Sequence, residues 1–123
     1  MKRQILIGLL VLITCTSVRG AKDIYTLLKD ANQGDIEAIV DIGKAYARGE
    51  YVAQDFKEAI KWFCKAAESG HAEAQLNLGV FYCHGWGVEC DYAEAVKWFL
   101  RAAEQGNAEA QYNLGVCYEK FVS

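Results

Sequence analysis

The sequence predicts an all-α fold, a right-handed α/α solenoid of helix–turn–helix repeats with about six short helices. Two observations carry this: an internal repeat with a period of 36 residues, and apolar residues at helical spacing within each unit. A third supports them. The 123 residues contain no proline and 11 glycines, so the punctuation is that of helices closed by glycine caps, not of a strand-and-turn fold.

The repeat is read directly from the chain. Residues 70–82 (GHAEAQLNLGVFY) and 106–118 (GNAEAQYNLGVCY) are identical at ten of thirteen positions. Residues 55–70 and 91–106 are identical at ten of sixteen. A weaker copy over residues 34–49 keeps Ala38, Gly43, Tyr46 and Gly49 in phase with Ala74, Gly79, Tyr82 and Gly85. Repetition at such a period is the mark of a stacked α-repeat array, in which each unit buries its apolar face against its neighbours.

Each half of the unit reads as a helix. Ala74, Leu78, Phe81 and Tyr82 stand at i, i+4, i+7 and i+8, one face of a 3.6-residue period, and Ala59, Trp62, Phe63, Ala66 and Ala67 do the same in the second half. Asp55 and Asp91 occupy N-cap positions with Glu58 and Glu94 three residues on, the spacing of a capping box. Asp35 and Asn107 can cap the first helices of their units. Gly49 and Gly85 close first helices; Gly34, Gly70 and Gly106 close second helices.

Gly43, Gly79 and Gly115 fall inside helices, where glycine costs about 1 kcal/mol relative to alanine. A cost repeated in every unit implies close approach by a neighbouring helix. Ala66, Ala67, Ala102 and Ala103 offer the same small surface on the partner helix, so large aromatics face small residues. Trp62, Phe63, Trp98 and Phe99 are expected in that core.

Residues 72–82, 85–88 and 91–106 carry A-E-A-Q-x-N-L-G-x-x-Y, G-x-G-V and D-x-x-E-A-x-K-W-F-x-x-A-A-E-x-G. This pattern resembles the Sel-one-like repeats, a subclass of the tetratricopeptide-type α/α repeats, from residue 34 onward. It divides the chain into a half repeat at 21–34, full repeats at 35–70 and 71–106, and a terminal half repeat at 107–123. The half repeat at 21–34 lacks the Trp-Phe pair, and Phe121 stands where Gly49 and Gly85 would place glycine.

Residues 1–20 are of another kind. Met1-Lys2-Arg3-Gln4 is a basic lead, residues 5–13 are apolar, and Val18 and Gly20 fit the −3 and −1 positions of a signal-peptidase site. The apolar run is short for a span, which needs about 20 residues. A cleaved signal and a secreted or periplasmic product are expected, the alternatives being an anchor through residues 5–18 or lipidation at Cys15. Removing residues 1–20 leaves ten basic against sixteen acidic residues. Such an acidic chain without a basic cluster argues against nucleic acid and anionic membrane as partners, beyond the export signal itself.

Four cysteines then remain: Cys64, Cys83, Cys90 and Cys117. An even number in an exported chain suggests disulfides. Cys83 and Cys90 flank an inter-helix loop, and their pairing is expected; Cys64 and Cys117 read as buried free thiols. In cysteine-rich relatives the bridges join the second helix of one repeat to the first of the next. The matching positions here are Ala67 and Gln75, so that scheme does not transfer. Cys83, His84 and Cys90 match no zinc-ligand spacing. Neither metal nor cofactor is implied.

No nucleophile or phosphate-loop motif is present, and the only histidines, His71 and His84, sit at helix ends, where capping or solvent exposure is expected. The chain therefore reads as a binding module, not an enzyme. The alternative the resemblance brings is β-lactam binding or weak hydrolysis, as associated with some cysteine-rich relatives. The resemblance implies a scaffold holding a peptide or protein segment on a concave face lined by first helices. By similarity to the tetratricopeptide groove, that face takes Asp41, Lys44 and Arg48, then Asn77, Val80 and His84, then Tyr112, Asn113 and Val116. Asn77 and Asn113 recur at one position and either bond a peptide backbone, satisfy buried backbone groups or sit in solvent. Trp86, between two glycines, is either a lid on the adjacent helices or an exposed anchor for a partner.

Overall fold

The computed structural model describes residues 23–122, without the side chains of the last two; the residues of the expected signal and Cys15 lie outside it. Six helices make up the described chain: α1 (Ile24–Asn32), α2 (Ile36–Arg48), α3 (Phe56–Glu68), α4 (Ala72–His84), α5 (Tyr92–Glu104) and α6 (Ala108–Val122). Each packs on the next in sequence, and α4 also touches α6. Thus α2, α4 and α6 are the first helices of successive units, and α1, α3 and α5 the second.

The caps explain the boundaries. The Asp55 and Asp91 carboxylates accept from the Glu58 and Glu94 amides at 3.1 Å. Glu58 and Glu94 themselves pair with Lys61 and Lys97 one turn on. Asp35 and Asn107 cap α2 and α6 by the same bond. At the equivalent position of α4 the cap is His71, whose Nδ1 accepts from Ala74 N at 3.2 Å. Gly49 and Gly85 end α2 and α4 in the left-handed conformation. With Phe121 at the corresponding place, α6 does not stop there and reaches 15 residues instead of 13.

Three buried clusters follow one another along the stack. The first joins Leu27 to Ala38 and Ile42. The second gathers Val40, Ala59, Phe63, Ala74, Leu78 and Phe81. The third holds Leu76, Ala95, Phe99, Ala102, Ala110 and Cys117. Phe63 lies on Gly43 and Phe99 on Gly79, so a Cβ at either glycine would stand 2.6 or 2.4 Å from the ring. The mid-helix glycines are therefore seats for the phenylalanine of the following second helix. Gly115 departs from this. Nothing lies within 4 Å of where its Cβ would be, because no helix follows α6 among the described residues to set a ring there.

The tryptophans also depart from expectation. Phe63 and Phe99 are buried, but Trp62 and Trp98 are only half-buried. Neighbouring residues on a helix point about 100° apart, so only one of each Trp-Phe pair can face the glycine. Trp62 instead packs against the Leu27 cluster and Trp98 against the Phe63 cluster, sealing the joint to the preceding unit. Their other faces lie beneath Lys65, 4.4 Å from the ring centre, and Arg101, at 4.9 Å.

Candidate functional site

First helices lie side by side, tied by specific contacts. Lys44 on α2 pairs with Glu73 on α4 at 2.5 Å, and Glu37 meets Nε2 of His71 at 2.8 Å. Gln75, buried, donates to Ala67 O at 3.0 Å and accepts from Gln105 Nε2 at 2.9 Å. Gln111 repeats the first of these bonds, to Ala103 O. A glutamine hydrogen bond thus stands where cysteine-rich relatives are expected to bridge; its role was legible only as a repeated residue.

The repeat sorts the exposed side chains of this face into columns. Asp41, Asn77 and Asn113 share one position; Lys44, Val80 and Val116 share a second; Arg48, His84 and Lys120 share a third. All are half-buried or exposed. Arg48 lies 3.8 Å from Glu50. The amides of Asn77 and Asn113 make no side-chain hydrogen bond among the described residues, which removes the reading in which they satisfy buried backbone groups. Tyr112 is outside these columns. It occupies the position of the buried Val40 and Leu76, and is 72% exposed because no helix follows α6 among the described residues to cover it. Lys120 fills the place that the sequence reading gave to Tyr112, a correction the 36-residue offset itself carries.

Trp86 is a lid. Its ring stacks on Phe56 (5.6 Å between centroids, 16° between planes) and on His84 (4.3 Å, 22°), with Phe81 edge-on. Three aromatic neighbours hold the ring, and it keeps 39% exposure. His84 is fixed in turn by a 2.9 Å bond between Nδ1 and Val80 O.

Cys83 and Cys90, the expected bridge, stand here as free thiols. Cys90 Sγ donates to the Cys83 carbonyl at 3.1 Å. The Cys83 thiol instead meets Cys117 Sγ, across α4 and α6, at 3.1 Å, well beyond the ~2.05 Å of a disulfide. All four described cysteines are free. Cys90 thus lies beside the Cys83 backbone, while the Cys83 side chain is directed at Cys117. Burial, and next the hydrogen bond to Cys117, push the Cys83 thiol up from 9.0 to about 12, making it a poor nucleophile. Cys83, His84 and Cys90 each engage a different partner, and no metal-holding cluster occurs among the described residues.

Beside this thiol pair a cavity of about 170 Å³ opens between α4, α5 and α6. Phe99 and Cys117, both buried, form its bottom; Val80, Cys83 and Tyr92 line its walls. His84, Val116 and Lys120, all exposed, stand with Asn113 at its opening. Four residues of the expected face (Val80, His84, Asn113 and Val116) meet here; Asp41, Lys44, Arg48, Asn77 and Tyr112 do not line it.

Stacked helix pairs with an exposed, partly polar first-helix face define an α/α-repeat scaffold. The model of the Sel1 repeat matches residues 36–71, 72–107 and 108–120, and the chain belongs to the Sel1 repeat family. It is similar to c5321, a protective antigen present in uropathogenic Escherichia coli strains and displaying an SLR fold. That match has a TM-score of 0.75 and 45% identity, covering 76% of this chain and 20% of that one. It is also similar to a Sel1 repeat protein from Oxalobacter formigenes, with a TM-score of 0.73 and 37% identity. There the match covers 77% of this chain and 39% of the other, so the chain spans well under half the length of either. No curated protein matches. Sel1 repeats generally serve as scaffolds for protein–protein contact, and no helix among the described residues is long and apolar enough to cross a membrane.

Proposed function

We propose that this chain is an exported scaffold that binds an extended peptide segment of a protein partner along the face of α2, α4 and α6. The observation that carries this is the pair Asn77 and Asn113, at one repeat position, half-buried and without side-chain hydrogen bonds among the described residues. A side-chain amide offers both donor and acceptor, so two in phase can bond the main chain of a segment laid across the units. The lining is short, and affinity from it alone is modest. The signal-like residues 1–20 support export; a chain beginning at Ala21 fits a cleaved signal, while a retained leader or a lipid on Cys15 marks a membrane-anchored product instead.

The test is capture of a partner by the purified chain, compared with Asn77→Ala plus Asn113→Ala. The double variant is expected to melt as the parent does and to lose the partner. Unchanged capture by a folded double variant overturns the assignment of this face.

A further inference from the structure

We propose that the cavity between α4, α5 and α6 receives the aromatic side chain of a peptide partner, its ring taking the place that Phe81 fills one unit earlier. This rests on the peptide-binding reading of the first-helix face and names the side chain taken at one point along it.

The repeat supplies its own comparison. Thirty-six residues before Tyr92, Phe99, Cys117 and Cys83 stand Phe56, Phe63, Phe81 and Ala47. In the earlier unit the Phe81 ring sits edge-on to both Phe56 and Phe63, with centroids 5.6 Å apart in each case. In the later unit the two outer rings persist as Tyr92 and Phe99, and the middle one is replaced by the small thiol of Cys117. The walls do not close over the gap. Phe99 is held against Gly79, and the third core cluster fixes α5 through Ala95 and Ala102. Partial collapse of this kind is why a large-to-small change in a core leaves a cavity.

Size and surroundings point to a ring. The cavity measures about 170 Å³, and an apolar cavity of about 150 Å³ accepts benzene. Two aromatic walls favour an edge-on guest, the arrangement Phe81 already adopts. The opening lies beside Asn113, so a peptide main chain bonded there can turn a side chain inward. Lys120 stands at the rim with its ammonium 5.8 Å from the Tyr92 ring centre.

N-acetyl-phenylalanine is the probe, with N-acetyl-alanine as control, titrated into the reduced full chain and followed by amide chemical shifts. Saturable shifts at Cys83, Val116 and Cys117 are expected with the aromatic probe and none with the control. Cys83→Ala plus Cys117→Phe recreates Ala47 and Phe81 and is expected to fold and to abolish the shifts; Cys117→Leu, a smaller filler, is expected to weaken them. Equal shifts with both probes, or shifts that survive in a folded filled variant, overturn the proposal. So does loss of the cavity to self-association, with pocket shifts that depend on protein concentration, since the occupant is then a second copy. Asn77→Ala, at a residue that does not line the cavity, keeps the outcomes apart: it is expected to retain the aromatic probe while weakening peptide capture. Peptide capture unaffected by the filled pocket rejects the pocket alone.

Discussion

Glycine at one repeat position has opposite meanings in two units. At Gly79 an added methyl would lie 2.4 Å from Cε1 of the buried Phe99. At Gly115 it would meet nothing within 4 Å. Gly79→Ala is therefore expected to destabilise, since overpacking costs about 1–3 kcal/mol. Gly115→Ala is expected to stabilise by up to about 1 kcal/mol, the gain in helix propensity. Urea unfolding of the two variants checks the opposite signs; loss of stability in both would show that Gly115 is covered. The Cys83 thiol carries a second residue-scale prediction. Its value is raised from 9.0 to about 12 on folding, chiefly by burial. Its contribution is thus fully present below pH 9.0 and lost as pH rises toward about 12. Stability measured across that range is expected to fall less steeply in Cys83→Ala.

Helix ends were the most legible elements, because a cap is a contact between residues three apart. Asp55, Asp91, Asp35 and Asn107 each bond the amide three positions on. His71 was legible as a helix-end residue, but its partners were not. Its Nδ1 caps α4 while its Nε2 reaches Glu37 on α2, so one ring both starts a helix and ties it to the unit before. His71→Ala is expected to cost about 1 kcal/mol for the cap. His71→Asn, which restores the residue of the next unit, is expected to recover that loss. Thermal melting of the pair checks this; equal melting temperatures for the two variants would mean that the cap contributes nothing. The Trp-Phe pairs look like one core feature in the sequence and divide into two in the fold. Phe63 and Phe99 fill the unit's own core, whereas Trp62 and Trp98 close the joint to the previous one.

At the scale of the whole molecule, the stack sets side by side residues that no repeat offset connects. Cys83 and Cys117 are 34 residues apart, not 36, and face each other across α4 and α6. Exposed to oxidised glutathione, the two thiols are expected to form one disulfide with release of two reduced glutathiones. Peptide mapping is then expected to show Cys83–Cys117; a Cys83–Cys90 bridge as the main product would contradict the packing. Closing a loop of this length raises stability by roughly 4 kcal/mol where chain entropy governs.

The sequence by itself determined the helices, their period, most of their caps and the phase of the units. Those features depend on residues within one turn or one repeat of each other. The same offset also held the evidence that Tyr112 belongs with Val40 and Leu76 rather than on the binding face. Only the tertiary structure decided which thiols meet, that Trp86 is held by Phe56, Phe81 and His84, and that replacing Phe81 by Cys117 leaves an open cavity. The reason is geometric: periodicity states which face of a helix is apolar, but not how far one helix slides past the next. That shift fixes every contact between units.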